Sequence, residues 1–187
     1  MDLNFYIADL TRHGISWDDR AKVTGRLGSY MVNVARLLPG QFSAVEIHWI
    51  GPRYAPSLGD TDILVYVIPT IDWSLIKANG GSVDIARTNT KIAGLTDVTN
   101  VQPISELYWD RLFSWKELAG AAFHEAAHNK SQQAMEMHDK QNGLLKEIPS
   151  LSSAPTQENL AFFAKHALNK VKQRPGLVPP NPNIGRP

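Results

Sequence analysis

The sequence predicts an α+β domain in which helices pack on one mixed sheet. Two runs, 43–50 (SAVEIHWI) and 61–68 (TDILVYVI), are rich in β-branched and aromatic residues, as strands are. Apolar residues recur at helical spacing over 17–38 and again over 157–171. The strands cluster between the first helix and the later ones, an order that places helices against a sheet.

Residues 3–8 (LNFYIA) form a short apolar and aromatic run, the first expected strand. Ser16 precedes an acidic turn with Asp19 three residues on, which suits a helix cap. Val23, Leu27, Tyr30, Met31, Val34 and Leu38 then mark the buried stripe of a helix that Pro39-Gly40 ends. Gly25 and Gly28 lower its propensity but allow close packing against a sheet. The strand at 61–68 is almost continuously apolar, as one buried on both faces would be. After Gly80-Gly81 a weaker strand is expected at 82–87 and another at 91–95, while 97–113 reads as a loop whose aromatics pack on the body. Ser114 and Glu117 frame a capping box ahead of an alanine-rich helix covering at least 115–130. Asn142-Gly143 signals a turn, and Thr156 caps the last helix.

A chain of 187 residues corresponds to one domain, expected over 1–173, followed by a proline-rich tail at 174–187 with five prolines and no regular structure. It has no Cys, which excludes disulfide scaffolds, cysteine nucleophiles and thiolate metal sites. Nineteen Lys and Arg against eighteen Asp and Glu leave a net charge of +1, with no footprint for nucleic acid. No stretch approaches the roughly 18 apolar residues of a membrane-spanning helix. The start, MDLNFYIADLTRHG, shows no signal peptide, so the expected setting is cytoplasmic or reached by a non-classical, effector-type route.

The chemistry concentrates in FHEAAHN. His124 and His128 stand at i and i+4, on one face of the expected helix, so both imidazoles can reach one cation. Glu125 sits about 100° round from His124 and can instead take the proton of a water held by that cation. This is the pattern of a zinc peptidase, with Zn²⁺ as its cofactor.

A catalytic zinc needs a third protein ligand and an open position for water. His138 is the first candidate. It lies ten residues past His128, about 15 Å along a continuous helix, so it can bind only if the helix ends near Asn129–Ser131 and the chain folds back. Glu158, in the first turn of the last helix, is the alternative, and Asp139 could serve as an oxygen ligand or a supporting carboxylate. Glu117 is accounted for by its cap, and His166 by the positive end of the last helix.

The chain resembles the zincin metallopeptidases and, among them, the metzincins, whose long motif is HExxHxxGxxH. Here His124, Glu125 and His128 match, Ser131 stands at the glycine and Ala134 at the third ligand, which His138 would replace from a longer loop. Gly143-Leu144-Leu145 stands near the family's methionine turn, with Leu145 for Met, and PTQEN is similar to the opening of its last helix. The resemblance implies a single domain with a mixed, mostly parallel sheet, a backing helix, an active-site helix and a C-terminal helix. It also implies that 82–87 is the antiparallel edge onto which a peptide substrate pairs.

The expected activity is therefore zinc-dependent cleavage of a protein or peptide, with Glu125 as general base and acid. Tyr6, Tyr54, Tyr66, Tyr108 and His166 are candidate oxyanion donors. A toxin or effector domain, with an inhibitor or immunity protein as partner, is the favoured setting. Two alternatives stay open: a gluzincin-type peptidase using Glu158, and a metal-containing binding module without turnover.

Overall fold

A computed structural model describes residues 1–51, 57–70, 93–98, 103–133, 135–147 and 149–173. The elements are β1 (Asp2–Asp9), α1 (Trp17–Arg36), β2 (Ala44–Ile50), β3 (Ile63–Ile68), β4 (Gly94–Asp97), β5 (Ile104–Tyr108), α2 (Trp115–Ser131), α3 (Met135–His138) and α4 (Gln157–Ala167). The strands form one sheet in the order β2-β1-β3-β5-β4, parallel except for β4, which pairs antiparallel with β5. The α+β class and the mixed, mostly parallel sheet with flanking helices are those the sequence predicts.

Alternation along β1 divides the molecule into two layers. Leu3, Phe5 and Ile7 point to the helices and join Val23, Leu27, Met31, Phe123 and Phe163 in the main core. Ala8 points the other way with Leu64, Tyr66, Ile68, Ile104 and Tyr108, and Tyr6 packs against that second cluster. Ser16 caps α1 through Asp19 N, and Gly28 brings the helix close to the sheet, within 3.8 Å of Ile47 if a Cβ were added.

Three expectations are corrected, and a fourth, the edge strand at 82–87, lies outside the described residues. The segment 97–113, read as a loop, contains β5: Glu106 interrupts its apolar run and Pro103 precedes it, so pairing with β3 and β4, not propensity, makes it a strand. Where a strand was expected at 91–95, β4 begins at Gly94 and ends at Asp97. Among the described residues it is β4 that is antiparallel and at the edge. Helix α4 stops at Ala167 because the chain beyond it is drawn to other partners: Asn169 bonds Lys130 O at 2.9 Å, and Val171 N donates to Asp60 O at 2.8 Å. The tail 174–187 lies outside the described residues, and among those described no helix is long and apolar enough to cross a membrane.

Helix α2 is the axis of the site. From Leu118 to Ser131 every residue is buried, which small side chains make possible on all faces of one helix. Gly120 is required there: a Cβ would lie 2.0 Å from the carbonyl oxygen of Leu151, whose backbone crosses the helix. Ser114 accepts from Glu117 N as expected, whereas the Glu117 carboxylate reaches Phe113 N at 2.6 Å instead of closing the box on Ser114.

Candidate metal centre

Burying α2 on all sides carries polar groups into the interior, and each must find a partner there. Lys130 and Asn129 do so structurally. Lys130 Nζ bonds the carbonyls of Asn169 and Thr61, and Asn129 exchanges hydrogen bonds with Gln173 at 3.1 and 2.9 Å. His124, Glu125 and His128, each no more than 7% exposed, have a different arrangement.

The Nε2 atoms of His124, His128 and His138 form a triangle with sides of 3.2, 3.0 and 3.2 Å. His124 Nδ1 donates to Leu144 O at 2.5 Å and His128 Nδ1 to Gln133 O at 2.6 Å. A carbonyl can only accept, so in the neutral ring the proton sits on Nδ1 and Nε2 carries a bare lone pair. Burial, with the neighbouring imidazoles, lowers His124 to about 3, and burial likewise lowers His128 to about 4. Both rings are therefore neutral at ordinary pH, and their lone pairs converge with no proton between them.

A divalent cation resolves that repulsion. Three nitrogens bound at about 2.0–2.1 Å in tetrahedral geometry lie about 3.3–3.4 Å apart, close to the observed triangle. The backbone carbonyls on the outer nitrogens are the supports that fix imidazole ligands in metal sites. The three histidines thus fit a divalent metal ion, and three protein ligands leave a fourth position open.

His138 arrives as its spacing required. Helix α2 ends at Ser131, and Gln132 takes a left-handed conformation (φ 55°, ψ 31°) that reverses the chain. Glycine is the usual residue for such a turn. Here Gln132 N bonds His128 O, and the Gln132 side chain bonds Asn129 O, which hold the turn without one. The short α3 then places His138 over the other two rings, at centroid distances of 5.2 and 4.8 Å.

Glu125 turns toward the sheet edge. Its Oε2 lies 2.7 Å from Thr96 Oγ1 on β4, and Gly94 makes room for it, since a Cβ there would come within 2.8 Å of Oε1. A buried polar chain reaches this carboxylate: Asn129 Nδ2 donates to Ser105 Oγ (3.1 Å), the Ser105 and Thr96 hydroxyls lie 2.9 Å apart, and Thr96 Oγ1 donates to Glu125 Oε2. Each hydroxyl has a single proton, so an ionised Glu125 orients the whole chain toward itself. Burial raises Glu125 to about 8, against the lowering effect of the Thr96 hydrogen bond.

The other candidates stand apart. Glu158 and Asp139 are exposed, and neither belongs to the histidine group. His166 bonds Asn169 and packs on Phe162. Tyr6, Tyr66 and Tyr108 belong to the sheet layer opposite the helices, and Tyr54 lies outside the described residues. The sequence reading missed Thr96, Gly94, Ser105 and Asn159. No motif marks the first three, because they meet Glu125 through β4–β5 pairing. Asn159 had a signal, the Thr156-x-x-Asn159 cap, but an amide at that position has donors to spare for something else.

No protein-family model, no curated protein and no solved structure matches the chain.

Proposed function

We propose that the chain is a zinc-dependent endopeptidase of the zincin type, close to the metzincins, with His124, His128 and His138 as the metal ligands and Glu125 as general base and acid. The observation that carries this reading is the triangle of Nε2 atoms from His124, His128 and His138, beside the buried Glu125 of the same helix turn. Zinc, when bound, would supply Lewis acidity to a water and to the scissile carbonyl.

The chain's own groups do the rest. Glu125 accepts the proton of the attacking water and returns it to the leaving amine, a role for which a single carboxyl suffices. Thr96 holds Oε2 by a hydrogen bond, and Gly94 leaves Oε1 room on the other side. An adjacent cation favours the carboxylate, and so offsets the burial that raises its pKa in the metal-free protein. Strand β4, at the sheet edge among the described residues, offers backbone groups for an extended peptide to pair with beside Glu125.

The test is cleavage of a mixed peptide library, read by mass spectrometry, with metal-stripped and zinc-reloaded protein. Cleavage that chelation removes and one equivalent of zinc restores is the expected result. A protein that takes up one zinc and cleaves nothing is a metal-binding module, and the peptidase reading fails.

A further inference from the structure

The three candidate ligands are not equally supported from behind. His124 and His128 each lean on a carbonyl, but His138 Nδ1 is buried and has no hydrogen-bond partner among the described residues. His138 also sits at the end of a four-residue helix, too short to be stable by itself. Its position therefore depends on what holds the chain on either side. On the upstream side that is the Gln132 turn. On the downstream side Gln141 N bonds His138 O at 3.2 Å, and the chain continues through Gln141 and Asn142 into the turn Gly143–Leu145.

That turn is held by one fully buried side chain, Asn159 of α4. Its Oδ1 accepts from Leu144 N at 3.0 Å and from Thr156 N at 3.2 Å. Its Nδ2 donates to Asn142 O at 2.7 Å and to Gln141 Oε1 at 3.3 Å. Leu144, fixed through its N–H, presents its carbonyl to His124 Nδ1. Gly143 completes the fit: it has φ +64°, and a Cβ would lie 2.8 Å from Asn159 Oδ1. Only an amide can serve both sides, because the turn offers an N–H to one end and carbonyl oxygens to the other.

We propose that Asn159 is a positioning residue of the metal centre, setting His124 through Leu144 and His138 through Gln141 and Asn142. The proposal rests on the reading of the three histidines as metal ligands. Asn159 touches neither ion nor substrate; it acts through the turn. Supports of this kind are worth about 10–100-fold in metal affinity.

Zinc affinity, measured by competition with a chromophoric chelator, separates this role from simple helix capping. Asn159→Ala is expected to weaken zinc about 10–100-fold and to change the visible absorption of the cobalt-loaded protein. Thr156→Ala removes the cap from the same helix end but leaves the turn's contacts with Asn159 in place, so its zinc affinity should stay within about twofold of wild type. Asn159→Asp keeps the acceptor for Leu144 N but sets a carboxylate oxygen against Asn142 O and Gln141 Oε1, and should weaken zinc at least as much as Asn159→Ala; it also serves if the alanine variant does not fold. Equal zinc affinities in Asn159→Ala, or in Asn159→Asp, and Thr156→Ala would overturn the positioning role while leaving the centre intact. A wild-type protein that binds no metal would overturn the parent reading instead.

Discussion

Glu125→Gln is expected to lower peptide turnover by about 10²–10⁴ while zinc stoichiometry and fold remain those of the wild type. The amide keeps the size of the side chain and its hydrogen bond from Thr96, but it cannot accept a proton. A second consequence is independent of turnover. In the metal-free protein burial raises Glu125 from 4.5 to about 8. Between those values the folded state holds a proton that the unfolded chain has released, so stability falls as pH rises through that window. The Gln variant lacks that slope, and denaturant unfolding of both proteins at pH 5 to 8 measures the difference. Undiminished cleavage at full zinc occupancy would remove Glu125 from the mechanism.

His138→Ala is expected to weaken zinc binding by about 10²–10⁴, since one of three ligands carries roughly a third of about 10–16 kcal/mol. Glu158→Ala should change it by less than about twofold, because Glu158 is exposed and outside the histidine group. The contrast decides between the two ligand sets left open by the sequence. The opposite ranking in a zinc titration would assign the protein to the glutamate-ligand class.

Much of this was legible in the sequence for physical reasons. Helix α2 and its two histidines were, because capping by Ser114 and the i,i+4 spacing are local rules that tertiary packing left alone. His138 was legible only as a condition, that the helix end early. The end is set by Gln132 in a conformation that no glycine advertises, held by bonds to His128 O and Asn129 O. Strand β5 was hidden because ISELY lacks the composition of a strand and acquires its state from its neighbours. The surroundings of Glu125 were hidden with it, since Thr96 and Ser105 meet only when β4 and β5 pair. Asn159 was marked only by its spacing from the cap Thr156, and its role at the Gly143–Leu145 turn needed the position of that turn.

The most direct test of the centre is an anomalous difference map at the zinc edge from crystals of the zinc-loaded protein. The account predicts one peak about 2.0–2.1 Å from the Nε2 atoms of His124, His128 and His138, with a non-protein fourth ligand. A peak away from that triangle, or a fourth protein side chain closing the coordination, would contradict it.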